Sequence, residues 1–515
     1  MADHADTISA RLPLSRDVVV IGTGTMGIGI AEVAAASGHR VYLCDANEAA
    51  LDRGLAQIHR NLDRRVERGR LDPAQRNAIL ARLGPFGADT VSDNIGLVIE
   101  AVVENLDVKV AVLRDMEARV APDTILATNT SSLSITAIAA RLERPRQVVG
   151  MHFFNPATVL PLIEVVRGAA TAAHVTQAIV DTARAWGKAP VVCRSTPGFI
   201  VNRVARPYYG EALRLLQERA ATPATLDAVM RESGGFRMGP CELMDLIGHD
   251  VNFAVTRAVC DGFFGDPRYQ SSLVQKELVD AGWLGRKSGR GFYEHGDGAV
   301  PALPDLANQL GLAPASVCIE GQLGPASSLV DLLLQQDRVP VQQREGAGLL
   351  RADGFAIALS DGRTATERSA ALGEPVVLFD LALDFATCTR VALAAPVQAC
   401  DEHLRRAIGL FALLGKQVSV LDDAPGLAVT RIVAMLVNEA ADALHQGIAS
   451  AEDIDTAMRQ GVNYPVGPLA WGRRLGLAHV ALVLQHLHLA SGEPRYRLSP
   501  WLRRAVHAPA EATHG

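Results

Sequence analysis

Val18-Val19-Val20-Ile21-Gly22-Thr23-Gly24-Thr25-Met26-Gly27 carries an apolar run straight into a glycine-patterned turn, after which Ile28, Ile30 and Val33 continue at helical spacing. Each glycine has a separate task in such a strand-turn-helix. Gly22 permits the tight turn, Gly24 lets the backbone approach a pyrophosphate, and Gly27 lets helix and strand pack closely. The free N–H groups of Thr25, Met26 and Gly27 at the helix start are then suited to phosphate oxygens. A second apolar strand, Val41-Tyr42-Leu43-Cys44, ends in Asp45, 18 residues beyond Gly27. A carboxylate there accepts from ribose hydroxyls and repels a 2′-phosphate, so the pattern selects NAD over NADP.

The 515-residue chain is 49% hydrophobic and 21% charged with a formal net charge of −6. That is the composition of a soluble globular protein of several domains, with no electrostatic footprint for nucleic acid or an anionic membrane. Seven scattered cysteines without CxxC spacing imply neither a disulfide framework nor a metal site, and they fit a reducing cytoplasm. Asp3, His4 and Asp6 stand where a signal peptide would be basic and then apolar, and no membrane-spanning apolar run occurs.

From Val18 to about Arg194, short Val/Ile-rich runs alternate with helical patterns, the order of a doubly wound parallel sheet. The expected strands are Val18 to Ile21, Val41 to Cys44, Leu97 to Ile99, Thr124 to Ala127, Val148 to Met151 and Val191 to Cys193. The excursion Asn47 to Gly84 reads as two helices broken near Leu71-Asp72-Pro73, the first of them basic with Arg60, Arg64, Arg65, Arg68 and Arg70. Residues 1–195 thus form an NAD-binding α/β domain of Rossmann type and 196–293 an all-α domain. A Gly, Pro and Ala-rich linker covers 294–322, a shrunken α/β segment without a glycine turn covers 323–400, and a second helical domain covers 401–515.

That last domain is a repeat of the first helical one. Gly187-Lys188, Pro197-Gly198, Arg203, Glu211-Ala212, Asp227, Met230-Arg231 and Gly239-Pro240 recur 228 residues later as Gly415-Lys416, Pro425-Gly426, Arg431, Glu439-Ala440, Asp455, Met458-Arg459 and Gly467-Pro468. The copy has Thr430 in place of Asn202, and its upstream region offers no histidine in the run Arg390 to Ala395. It is expected to be structural, covering an apolar face of the first helical domain.

Oxidising a secondary alcohol needs a base for the hydroxyl proton, and histidine is the side chain whose unperturbed pKa suits that work. His152 follows Val148-Val149-Gly150-Met151 and so emerges at the carboxyl end of a strand, where open α/β sheets bind ligands. Three motifs surround it: Thr128-Asn129-Thr130-Ser131-Ser132-Leu133, Gly150-Met151-His152-Phe153-Phe154-Asn155-Pro156 with Leu162-Ile163-Glu164-Val165, and Thr196-Pro197-Gly198-Phe199-Ile200-Val201-Asn202-Arg203. In this order and spacing they resemble the 3-hydroxyacyl-CoA dehydrogenase family, over residues 16 to 293.

The resemblance implies NAD-dependent oxidation of an (S)-3-hydroxyacyl-CoA to the 3-oxoacyl-CoA. Counting the duplicated helical domain, Asn202 to Tyr209 and Gly461 to Trp471, it points to the branch acting on 3-hydroxyadipyl-CoA in phenylacetate breakdown. 3-Hydroxybutyryl-CoA, general fatty-acyl substrates and a non-enzymatic, crystallin-like NAD-binding role stay open. The resemblance makes His152 the base, Glu164 its orienting carboxylate, and Ser131 and Asn202 the donors to the substrate oxygen. It places Glu104, Lys109 and Asn129 with Gly22, Gly24, Thr25, Met26, Gly27 and Asp45 as cofactor contacts. The basic helix corresponds to the family's CoA-contacting hairpin, with Arg64, Arg65 and Arg68 as phosphate partners. Arg206, one helical turn after Asn202, stands where fatty-acyl relatives carry an apolar residue and is suited to a distal carboxylate; the alternative is pairing with Glu211 or solvent. Pro161 departs from the family's usual lysine. The assembly implied is a homodimer, or a monomer with an internal pseudo-dimer of helical domains.

Overall fold

The computed structural model describes residues 11–87 and 92–508, so Asp3, His4 and Asp6 lie outside the described residues. The chain forms two compact units, Met1–Val201 with Gly447–Val462, and Asn202–Gln446 with Asn463–Gly515.

The first unit is built on an eight-stranded sheet of order β3-β2-β1-β4-β5-β6-β7-β8. Its strands are β1 (Asp17–Ile21), β2 (Val41–Cys44), β3 (Leu83–Pro85), β4 (Ile95–Glu100), β5 (Ile125–Thr128), β6 (Val148–Phe153), β7 (Leu162–Arg167) and β8 (Ala189–Arg194). All six expected strands are present within two residues of their expected ends. Strands β4, β5 and β6 are buried along their whole length, as strands covered on both faces must be. The helices are α1 (Thr25–Ala36), α2 (Glu48–Glu67), α3 (Pro73–Leu80), α4 (Leu106–Arg119), α5 (Ile135–Ala139) and α6 (Ala173–Ala185). The break in the long excursion falls at Asp72, whose side chain caps α3 in front of Pro73.

Two features correct the expectation. The sheet is not wholly parallel, because β6 and β7 pair antiparallel. The short strand β3, Leu-Gly-Pro, pairs with β2 and carries no alternation by which it could be read. A third feature crosses the expected boundary at 401: the helix Ala451–Val462, from the repeat, packs on β7 and β8. Gly461 is needed there, since a Cβ would come within 2.5 Å of Leu162.

The second unit holds the remaining helices of both copies and a seven-stranded mixed sheet of order β10-β9-β11-β12-β13-β14-β15. The strands are β9 (Val317–Glu320), β10 (Val341–Arg344), β11 (Leu349–Ala352), β12 (Phe355–Leu359), β13 (Val376–Phe379), β14 (Arg390–Ala394) and β15 (Gln417–Val420). Strand β9 falls inside the stretch read as linker. That stretch is also tied to β15, through Ala307 N–H to Val418 O at 2.8 Å. The α/β segment likewise runs past residue 400, since helix Asp401–Leu413 leads into β15. The repeat extends to backbone detail: Gly198 and Phe199 have φ of 75° and 48°, Gly426 and Leu427 74° and 52°. A bulky residue held at positive φ twice marks a turn that the surrounding packing imposes.

Candidate active site

The glycine turn has the geometry that a dinucleotide requires. Gly22 has a φ of 97°. A Cβ on Gly27 would lie 1.8 Å from Gly22 O, whereas one on Gly24 would meet nothing within 4 Å. The middle glycine therefore fronts open space at the start of α1, whose N-cap is Gly24 and has no side-chain hydrogen bond. Asp45, at the end of β2, accepts from Thr23 N–H at 2.8 Å and Thr23 Oγ1 at 2.7 Å, with Asn47 N–H on its other oxygen at 3.0 Å. Partial burial alone would raise this carboxyl; those hydrogen bonds and Arg53 hold it below its ordinary value. The residues fit a dinucleotide with an unphosphorylated ribose.

Beyond the ends of β4 and β5 lies a polar network that the sequence showed only in part. Glu104 is exposed just ahead of α4, where Asn105 is the N-cap, whereas Lys109 is buried within that helix, and both are engaged by neighbours. Lys109 is 1% exposed and its Nζ donates to Glu100 Oε1 at 2.8 Å and Val102 O at 3.2 Å, with Glu104 Oε2 also 3.2 Å away. Glu104 Oε1 accepts from Thr130 Oγ1 (2.6 Å), Ser131 N–H (3.0 Å), Ser131 Oγ (3.3 Å) and Ser132 Oγ (2.9 Å). Burial pushes the Glu104 carboxyl up, but Thr130, the Lys109 charge and the two serines outweigh it, so the group sits below its ordinary value. Glu100 is the residue that sequence reasoning missed. Its signal was a carboxylate closing the fully apolar strand Ile95 to Ile99, and it also accepts from Thr128 Oγ1 at 2.7 Å. Asn129 Oδ1 accepts from Phe153 N–H at 2.8 Å and so ties the end of β5 to the end of β6.

His152 and Glu164 stand directly opposite one another in the β6–β7 register. The spacing of twelve residues is thus a strand, a connection and the returning strand. Nδ1 of His152 lies 2.7 Å from Glu164 Oε2, both side chains being buried. The carboxylate can only accept, so the proton of this bond sits on Nδ1 and leaves Nε2 with a lone pair. The other carboxylate oxygen accepts from Ile200 N–H at 3.0 Å and Val201 N–H at 2.9 Å. Those N–H groups open helix α7 (Val201–Val204), so Glu164 holds the histidine and the helix start together. Phe154 and Phe199 pack on the imidazole at centroid distances of 4.6 and 5.9 Å.

Asn202 follows in α7 and begins the second unit. Arg206 opens helix α8 (Arg206–Gln217), where it is buried, donates to Thr256 Oγ1 at 3.1 Å and lies over the Tyr209 ring. It is neither solvated nor paired with Glu211, which Arg431 engages at 2.9 Å. In the basic helix α2, Arg65 is committed to Glu32 at 2.8 Å, which weakens its assignment to CoA. Arg64 and Arg68 are exposed, with Arg64 Nη2 on Asn61 Oδ1 at 2.6 Å.

Comparison with known proteins gives this geometry its context. The family model for the 3-hydroxyacyl-CoA dehydrogenase NAD binding domain matches residues 17–196, and that for the C-terminal domain matches 198–295 and again 426–513. A model described as the 3-hydroxybutyryl-CoA dehydrogenase reduced Rossmann-fold domain matches 357–425. The chain is 44% identical over 95% of its length to 3-hydroxyadipyl-CoA dehydrogenase of Escherichia coli, covering 96% of that protein. A crystal structure described as 3-hydroxybutyryl-CoA dehydrogenase from Escherichia coli, also 44% identical, superposes with a TM-score of 0.85 over 96% of this chain and 98% of that one. (S)-3-Hydroxybutyryl-CoA dehydrogenase from Ralstonia eutropha, 38% identical, matches 55% of this chain and 99% of its own, with a TM-score of 0.53. The cofactor is NAD, the reaction class is oxidation of a CH–OH group, and the chain belongs to the 3-hydroxyacyl-CoA dehydrogenase family.

Proposed function

We propose that this protein oxidises (S)-3-hydroxyadipyl-CoA to 3-oxoadipyl-CoA. The observation that carries the reading is the buried His152–Glu164 pair at 2.7 Å, set at the carboxyl edge of a sheet that also carries the glycine turn. Bound NAD supplies the hydride acceptor at this edge. His152 Nε2 takes the hydroxyl proton, and the imidazolium that results is stabilised by Glu164, which two backbone donors hold in place. Ser131 and Asn202 donate to the substrate oxygen as its charge changes. Glu104, itself held by Thr130 and Lys109, fixes the Ser131–Ser132 turn, while Asp45 receives the adenine-side ribose. Arg64 and Arg68 on the exposed face of α2 take the CoA phosphates.

The protein works as a monomer in which the duplicated helical region stands in for the second subunit of a dimer, and in a reducing cytoplasm, in keeping with seven unpaired cysteines. No helix among the described residues is long and apolar enough to cross a membrane.

The test is NADH formation by the purified protein on 3-hydroxybutyryl-, 3-hydroxyhexanoyl- and 3-hydroxyadipyl-CoA. Turnover of all three with the highest kcat/KM for 3-hydroxyadipyl-CoA is expected. A preference for 3-hydroxybutyryl-CoA would overturn the substrate assignment, and no NADH from any thioester would overturn the reaction.

A further inference from the structure

Six arginines are buried among the described residues, and five of them face a carboxylate. Arg203 meets Glu439 at 2.6 Å, Arg268 meets Asp442 at 2.8 Å, Arg390 meets Glu232 at 3.1 Å, Arg431 meets Glu211 at 2.9 Å and Arg495 meets Glu493 at 2.7 Å. Arg206 is the exception. It is 6% exposed, its one hydrogen bond goes to the neutral Thr256, and its Nε has no partner. A buried cation without an anion is strongly unfavourable, and burial accordingly lowers the pKa of this guanidinium.

The same region holds a second unsatisfied group. Tyr464, 6% exposed, has a hydroxyl without a hydrogen-bond partner. Its ring is wedged between Tyr208 at 5.7 Å and Phe236 at 5.1 Å, and the Arg206 charge acts on its hydroxyl. One donor, a cation and a flanking aromatic face, all dry, make a site for a single carboxylate.

The duplication supplies an internal control. At the repeat offset of 228 residues, Arg206, Tyr209 and Thr256 correspond to Ala434, Val437 and Leu484, and Tyr464 itself corresponds to Phe236. Ala434 sits buried in the unbroken helix Val429–His445, so the architecture does not require an arginine at this place. Arg206 and Thr256 come from the copy that also carries Asn202 and Tyr464 from the other, and the reciprocal place pairs Ala434 and Leu484 with Phe236.

We propose that Arg206, with the Tyr464 hydroxyl, is the subsite that receives the distal carboxylate of a dicarboxylic acyl-CoA and thereby sets chain-end specificity. The inference rests on the substrate class proposed above. Asn202 in α7 and Arg206 at the start of α8 are four residues apart in sequence, and only three carbon–carbon bonds separate the reacting C3 from the terminal carboxyl carbon of 3-hydroxyadipyl-CoA, so both spans are short. Tyr464 belongs to the second copy. The duplicated region therefore contributes a group to substrate selection as well as to packing.

The experiment compares kcat/KM for 3-hydroxyadipyl-CoA and 3-hydroxyhexanoyl-CoA, thioesters of equal length that differ at the chain end. The ratio of the two values is measured for wild type, Arg206→Met and Tyr464→Phe. Wild type is expected to favour the dicarboxylic substrate, Arg206→Met to lower the ratio about 10–100-fold and Tyr464→Phe to lower it about threefold or more. Tyr464→Phe keeps the ring and so reads the hydroxyl apart from folding. An unchanged ratio in Arg206→Met, with wild type still favouring the dicarboxylic thioester, would overturn this inference alone, whereas a wild type active on both without preference would overturn it together with the proposed substrate. A wild type inactive on both would remove the proposed function together with it.

Discussion

Gly24 and Gly27 look alike in the sequence and are constrained by opposite things. The Cβ of an alanine at 27 would collide with the Gly22 carbonyl at 1.8 Å, a backbone atom that cannot move aside. The Cβ of an alanine at 24 would enter open space in front of the α1 N-terminus, which is the space a pyrophosphate needs. Gly27→Ala should therefore lower Tm by about 5 °C or more. Gly24→Ala should leave Tm within about 2 °C and raise the KM for NAD about tenfold or more. Thermal melts and initial-rate kinetics on the two variants check this; a Gly24→Ala protein with normal NAD kinetics would mean that this cradle does not hold the cofactor. The roles of these glycines are legible in the sequence because each follows from backbone sterics alone. Glu100 was marked only as a carboxylate closing an apolar strand, and its partner was not legible. Nothing in Ile-Gly-Leu-Val-Ile-Glu says that its last residue turns inward to meet Lys109, nine positions on.

At the scale of elements, the pairing of β6 with β7 explains how two residues twelve apart in sequence become a functional pair. The register sets His152 against Glu164, and Glu164 spans from the imidazole to the first N–H groups of α7. The repeat separates the two halves of that job. There Asp380 accepts from Ala428 N–H at 2.9 Å, Val429 N–H at 2.7 Å and Thr430 N–H at 2.9 Å, anchoring the equivalent helix start with no histidine beside it. Burial alone would raise the Asp380 carboxyl, and those donors only partly offset it. Holding a helix N-terminus with a carboxylate is thus part of the fold, and the histidine is what the first copy adds. The strands of the first sheet that carry Val/Ile runs were legible, from Val18 to Ile21 through to Val191 to Cys193. Strands β9, β10 and β11 were not, because Val-Cys-Ile-Glu, Val-Gln-Gln-Arg and Leu-Leu-Arg-Ala are only four residues long, each includes a charged residue, and they are defined by their neighbours.

Across the second unit, the duplication produces two reciprocal clusters of buried charge. Arg203, Arg268 and Tyr269 of the first copy surround Glu439 of the second, while Arg431, Arg495 and Tyr496 of the second surround Glu211 of the first. Residue i of one copy meets j of the other and the reverse also holds, which is the pattern of a two-fold dimer interface carried within one chain. Burial would raise both carboxyls, but the arginine charges and tyrosine hydroxyls overcome it and hold them below their ordinary value. Because the folded pKa is depressed, their contribution to stability is present above the ordinary carboxylate value and is lost as pH falls through the folded one. Glu439→Gln should cost about 3–5 kcal/mol at neutral pH by leaving two arginines buried opposite an uncharged amide. It should also flatten the acid limb of stability. Urea unfolding at pH 7 and thermal melts from pH 7 downward measure both effects; a variant as stable as wild type would show that the clusters do not hold the two copies together. The repeat was legible as sequence, at an offset of 228 as far as Gly239-Pro240 and of 227 at Arg268-Tyr269, but which arginine answers which glutamate was not, since identical motifs could pair equally well within or between copies.

The central claim is that His152, held by Glu164, takes the proton from the substrate alcohol. It is tested most directly by single-turnover NADH formation with His152→Ala and Glu164→Gln, alongside adipyl-CoA binding to confirm an intact site. The account predicts a loss of about 10²–10⁴-fold in the chemical step for each variant with thioester binding retained. A His152→Ala protein that forms NADH at the wild-type rate would contradict it.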